Sequence, residues 1–94
     1  MATVSVVFGV KHEELPFLKK ANQSEAITSS GSSQTSSNTG TNKDDCVEVA
    51  TSGNAIWVTV DGSTAAAGNQ FLLPDGTTRH FVAGSGTVIK VIDA

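Results

Sequence analysis

The sequence predicts an all-β domain, a small antiparallel β-sandwich or partly open barrel of about six to eight strands. Eleven Val and four Ile stand against four Leu and one Met, and the stiff χ1 angles of β-branched residues favour strands. Short apolar segments with a period of two alternate with turn-forming Gly, Asn, Asp and Pro. Because 94 residues can enclose one core only, we expect a single domain over residues 1–94.

The first strand is predicted over residues 2–10, where every even position is apolar. Residues 11–21 are predicted to form a loop with at most one short helical turn, because Pro16 interrupts any longer helix. We expect Leu15 or Phe17 to pin this loop to the domain.

Residues 22–42 contain seven Ser and four Thr, and Ile27 is their one large apolar side chain. The composition supports two interpretations. One is a flexible linker. In the other, residues 26–30 and 33–37 are strands whose small side chains let the main chain pair inside a sheet or with a neighbouring subunit, which would make the segment a strand-exchange element.

Residues 46–94 have the clearest strand pattern and are predicted to form the core of the domain. Residues 46–60 are predicted to be a hairpin, with its turn at Ser52–Gly53–Asn54. A loop of small residues follows over 63–69. Further strands are predicted at 70–73, 78–82 and 87–92.

The predicted core side chains occupy alternate strand positions or bounded apolar runs. A charge placed on this face is expected to destabilise the fold, because it would be buried without a partner. The predicted core residues are Val4, Val6, Phe8, Ile56, Val58, Val60, Leu72, Phe81 and Ile89.

Charge and composition exclude several classes of function. The net charge of −3, with six basic residues, neutralises few phosphates, so no nucleic-acid partner is expected. No apolar run approaches the ~20 residues of a membrane-spanning helix, so no membrane partner is expected. Cys46 is the single cysteine, which excludes a disulfide within the chain. His12 and His80 are remote in sequence and lack a third ligand, so no metal site is predicted.

A catalytic site requires a nucleophile, a base and a group that orients the base, and the sequence shows no such set at a suitable spacing. We therefore predict that the protein is not an enzyme and binds no cofactor. Trp57 has three interpretations. It is a partly buried ring, an anchor for a partner, since Trp is enriched where interfaces concentrate their energy, or a platform for a sugar, which generally requires several aromatic side chains and polar partners. The candidate interaction residues are Trp57, Ile27, Thr28, Ser29, Ser30, Leu15 and Phe17.

Five segments together resemble small virion structural proteins of tailed bacteriophages. They are Gln23–Gln34, Ser52–Val60, Ala65–Gly68, Phe71–Gly76 and Val88–Ala94. In that group a Ser/Thr-rich strand precedes an apolar-Trp-Val strand, a small-residue loop, a Leu-Pro-x-Gly turn and a closing Val-rich strand.

The resemblance implies an all-β accessory protein of the virion that decorates or cements the capsid and is assembled in the host cytoplasm. It implies the major capsid protein or other virion proteins as partners. Because the Ser/Thr-rich segment has few side chains with which to order itself, we also expect a cyclic homo-oligomer such as a trimer. Two alternatives stay open. One is a tail, collar or fibre component or a host-carbohydrate-binding module, and the other is a small enzyme or inhibitor.

Overall fold

Two antiparallel four-stranded sheets enclose the core of the computed structural model, which describes residues 1–12, 14 and 18–94. The first sheet has the strand order β2-β1-β4-β7, and the second has the order β3-β8-β5-β6. This architecture confirms the predicted all-β sandwich. The strands are β1 (Thr3–Lys11), β2 (Leu18–Thr28), β3 (Gln34–Thr35), β4 (Cys46–Ser52), β5 (Ile56–Thr59), β6 (Phe71–Leu73), β7 (Thr78–Val82) and β8 (Lys90–Asp93).

The core lies between the sheets and takes alternate residues from each strand. In β1 the side chains of Val4, Val6 and Phe8 are fully buried, as the period of two predicts. Because β1 is an inner strand between β2 and β4, the core combines the start of the chain with residues 46–94. Of the predicted core residues, these are buried: Val4, Val6, Phe8, Ile56, Val58, Phe81 and Ile89. Val60 is partly buried against the same cluster.

The prediction of Leu72 as a core residue is wrong. Its side chain is 45% exposed, whereas that of Leu73 is 1% exposed. β6 has only three residues, and its pairing places Leu73 opposite the buried Ile56 and Leu72 opposite Trp57. Two adjacent leucines offer the same hydrophobicity in either register, so the pairing partner decides which one faces the core.

The predicted hairpin over residues 46–60 is also wrong. β4 pairs with β1 and β7 in the first sheet, whereas β5 pairs with β6 and β8 in the second. The turn at Gly53, with φ at 109°, therefore carries the chain from one sheet to the other. Val49 and Val58 still face the same core, because both strands bury one face.

The prediction of a loop over residues 11–21 is wrong at both ends, where the structure has β-strand. β1 extends to Lys11, and β2 begins at Leu18 and pairs antiparallel with β1. Lys19 and Lys20 are exposed on this outermost strand, where their charges stay in water. Leu15 and Phe17 lie outside the described residues, as does Pro16.

Residues 22–42 are bonded to the rest of their own chain. Ser36 N donates to the Ile89 carbonyl at 2.7 Å, and Gly40 N donates to the Thr87 carbonyl at 2.8 Å. The Glu25 carboxylate accepts from Ser37 N at 3.0 Å and from Asn38 N at 2.7 Å. Apart from Ile27, which packs against the core, the polar segment therefore obtains its order from hydrogen bonds and main-chain pairing.

The buried carboxylate of Asp44 joins the end of this polar segment, at Thr41, to Asn22 and Gln23 of β2 through hydrogen bonds. Its carboxylate accepts from Thr41 N at 2.8 Å, from Asn22 Nδ2 at 2.8 Å and from Gln23 Nε2 at 3.4 Å. Burial acts to raise the pKa of Asp44, but hydrogen bonds from Thr41, Asn22 and Gln23 outweigh it and hold the pKa below the ordinary 3.8.

Candidate interaction surface

The structure separates the predicted interaction residues into different parts of the sandwich. Residues 27–30 lie at the end of β2 in the first sheet, and Trp57 lies on β5 in the second sheet. Ile27 packs partly buried against the core, and Thr28 is exposed. Leu15 and Phe17 lie outside the described residues.

Ser29 has a structural position inside the molecule. Its side chain is fully buried, and its hydroxyl accepts from Ala2 N at 2.7 Å and donates to a carboxylate oxygen of Asp93. The hydrogen bond from Ser29 is the main cause that lowers the pKa of Asp93. Ser30 is half-buried, and its carbonyl accepts from Asp93 N at 2.9 Å. Ser29 through its hydroxyl and Ser30 through its carbonyl therefore join the end of β2 to β8.

Trp57 lies in the middle of an apolar row on the outer face of the second sheet. It pairs with Leu72 on β6 and with Ile92 on β8, and directly paired residues project from the same face of a sheet. The neighbours of Trp57 along β5, Ile56 and Val58, are buried in the core, so the tryptophan points outward. Leu72, Trp57 and Ile92, which we name the Trp57 row, are all partly or substantially exposed.

A loop of the same chain borders the Trp57 row. The hydroxyl of the buried Thr59 donates to the Ser63 carbonyl at 2.6 Å. Ala65 is also buried, and its main-chain N donates to the hydroxyl of Ser33 at 3.1 Å. Ser33 is the residue before β3. These two bonds hold residues 60–70 across one end of the outer face and leave the Trp57 row beside it.

The sequence signal for the other two members of the row was incomplete. The sequence predicts Leu72 as a core residue and Ile92 only as part of the last strand. Alternation along each strand predicts that one side chain in two faces outward. It does not predict which strands become neighbours, and the row exists only because β6, β5 and β8 are adjacent.

The first sheet presents a different surface around His80. His80 Nε2 lies 3.0 Å from a Glu48 carboxylate oxygen. A pocket of about 90 Å³ lies nearby, far below the roughly 300 Å³ at which ligand pockets begin. Burial, with the charge of Asp45, raises the pKa of the Cys46 thiol, which therefore stays protonated and is a poor nucleophile. The pocket is lined by Lys11, Asp45, Cys46, His80, Phe81 and Val82.

No group of three or more His, Cys, Asp or Glu side chains among the described residues is arranged to hold a metal ion. Across the same residues, no helix is long and apolar enough to cross a membrane. Among the described residues, the Trp57 row is an apolar surface that is partly exposed to solvent. Comparisons with protein-family models, with curated proteins and with solved structures found no match to this chain.

Proposed function

We propose that the protein is a non-enzymatic structural component of a tailed-phage virion that binds the capsid surface and stabilises contacts between shell subunits. The observation that carries this proposal is the Trp57 row, a partly exposed aromatic between two aliphatic side chains on a sheet. The resemblance of five sequence segments to small virion proteins supplies the class of partner, the major capsid protein.

The physical action of such a protein is to bind the assembled shell more tightly than separated subunits. Each bound copy then stabilises the assembled state by mass action, because its binding energy is lost when the subunits part. Trp side chains anchor interfaces through a large apolar area with few rotatable bonds. On this proposal Trp57 enters an apolar depression of the shell, and Leu72 and Ile92 exclude water around it.

Co-assembly tests the proposal. The protein is mixed with shells of the major capsid protein encoded by the same genome, and the bound fraction is measured by co-sedimentation over a range of concentrations. We expect saturable binding and a higher temperature of shell disruption. Trp57→Ala is expected to weaken binding by roughly 30-fold or more, the equivalent of about 2 kcal/mol for a central interface tryptophan.

Val82→Ala is the matched control, because Val82 is 90% exposed on the first sheet, away from the Trp57 row. Its shell affinity should equal that of the parent. Circular dichroism establishes that both variants are folded. Absence of saturable binding to shells, or parental affinity of a folded Trp57→Ala variant, would contradict the proposed capsid contact.

The alternative of a tail, collar or fibre component is separated by location. Gold-labelled antibody against the protein should decorate the shell of purified particles, and labelling restricted to the tail would support the alternative. Carbohydrate binding has less support from the geometry, because the neighbours of Trp57 in its row are aliphatic Leu72 and Ile92 rather than polar partners for sugar hydroxyls.

A further inference from the structure

The outer edge of β2 is the longest strand edge in the described structure. β2 has eleven residues, whereas the other edge strands β7, β6 and β3 have five, three and two. Its stretch Gln23–Thr28 pairs with β1 in unbroken register. That stretch contains no Pro or Lys, which commonly protect an edge from further pairing, and its one charged side chain is Glu25.

Two hydrogen bonds establish which main-chain groups point away from the sheet. Ser29 N donates to the Ala2 carbonyl, so the main-chain N–H and C=O groups of Ser29 point towards β1. Asp45 N donates to the Gly9 carbonyl, so the main-chain groups of the odd residues of β1 point towards β4. Main-chain groups alternate in direction along a strand. The N–H and C=O groups of Ser24, Ala26 and Thr28 therefore point outward from the edge of β2.

These three residues have small, exposed side chains, which leave room for another strand. Asn38 Nδ2 donates to the Ser24 carbonyl at 3.4 Å, and no other described side chain bonds to these outward groups. On the inward side, the Glu25 carboxylate is held by Ser37 N and Asn38 N. The edge is therefore extended and held in place before any partner arrives.

We propose that this edge binds the same edge of a second copy of the chain, in antiparallel register around a two-fold axis at Ala26. Ala26 then pairs with its own symmetry mate, and Ser24 of each copy pairs with Thr28 of the other. Three hydrogen-bonded pairs give about six main-chain hydrogen bonds. The two first sheets become one continuous sheet of twice the width.

The charges on β2 favour this register for pairing with a second copy of the chain. An axis at Glu25 would set two carboxylates directly opposite each other, which is destabilising. An axis at Ala26 sets Glu25 opposite Ile27 instead. Lys19 and Lys20 lie towards the far end of the strand and do not face their own symmetry mates. The edge can therefore pair with itself without setting like charges opposite each other, and a two-fold axis closes the pairing at two copies.

Sedimentation equilibrium of the purified full chain tests the inference without any capsid protein, so its outcome is independent of the proposed function. The parent should sediment as a dimer that dissociates on dilution. Ala26→Lys places two ammonium groups opposite each other across the axis, and should weaken the dimer about tenfold or more. Thr3→Lys is the matched control, because Thr3 is exposed on the inner strand β1 and pairs with Thr28; its dimer affinity should be parental.

A cysteine at the axis gives a second, direct readout. Residues in a hydrogen-bonded antiparallel pair have Cα atoms about 5.5 Å apart, within the range that a disulfide spans. Ala26→Cys should therefore form a reducible disulfide-linked dimer under mild oxidation, whereas Thr3→Cys should not, and Cys46 is buried in both. A monomer at every concentration, a trimer, or a folded Ala26→Lys variant with parental dimer affinity would overturn the inference.

Discussion

Replacing Gly40 with Ala is expected to destabilise the protein strongly, although Gly40 lies in its most polar segment. A Cβ at this position would lie 2.2 Å from the Gly84 carbonyl oxygen and 3.3 Å from Thr87 Cβ. The obstructing oxygen belongs to the main chain, so no side-chain rotation relieves the clash. Gly40 N also donates to the Thr87 carbonyl, and Gly86 N donates to the Gly40 carbonyl, both at 2.8 Å.

The magnitude follows from these contacts. The main chain must move until the new carbon lies about 3.3 Å from the oxygen, and such overpacking costs about 1–3 kcal/mol. The displacement weakens two hydrogen bonds, each worth about 1 kcal/mol. Alanine offsets about 0.4–1 kcal/mol by restricting the unfolded chain. We therefore expect a loss of about 2–4 kcal/mol and a fall in Tm of about 10–30 °C.

Thermal and urea unfolding followed by circular dichroism measure this loss. Gly31→Ala is the matched control, because Gly31 lies in the same Ser/Thr-rich segment with nothing within 4 Å of its added Cβ and no positive φ. Its stability should be unchanged or slightly higher than that of the parent. If Gly40→Ala unfolds together with the parent, residues 36–44 do not pack against the turn at Gly84, and the linker interpretation of this segment is the correct one.

Three further predictions concern the core, a buried hydroxyl and a buried carboxylate. Leu73→Ala should lower the free energy of unfolding by about 2–5 kcal/mol, whereas Leu72→Ala should lower it by less than about 1 kcal/mol. Equal losses in urea titrations would contradict the assignment of Leu73 to the core face. Ser29→Ala should cost about 1–3 kcal/mol by leaving Ala2 N buried without an acceptor, and unfolding at parental urea concentration would refute that role. Asp44 has a folded pKa below 3.8, so its stabilising contribution is present above that pH and is lost as the pH falls through the folded pKa. Asp44→Asn should therefore lose less stability on acidification than the parent, and a parental acid profile would contradict this.

The candidate interaction surface could be predicted only in part, and the reason is visible in its residues. Trp57 is the single tryptophan of the chain and lies between the aliphatic Ile56 and Val58, so its type and position pointed to it directly. Ser29 has the same local composition as Ser30 and Thr28, and nothing in that run indicates which hydroxyl is buried against Ala2 and Asp93. Hydrogen bonds between residues so distant along the chain leave no periodic signal in either partner.

Local pattern is enough to predict the class of fold and the buried face of the regular strands. Alternation of apolar and polar residues placed Val4, Val6 and Phe8 inside, because side-chain direction in a strand has a period of two whatever its neighbours are. Which strands are adjacent becomes visible in the three-dimensional fold alone. The fold placed β4 and β5 in different sheets, turned Leu73 rather than Leu72 inward, and joined β6, β5 and β8 into the surface around Trp57. Strand pairing is a contact between distant parts of the chain, and its energy depends on both partners together, so neither segment alone contains it.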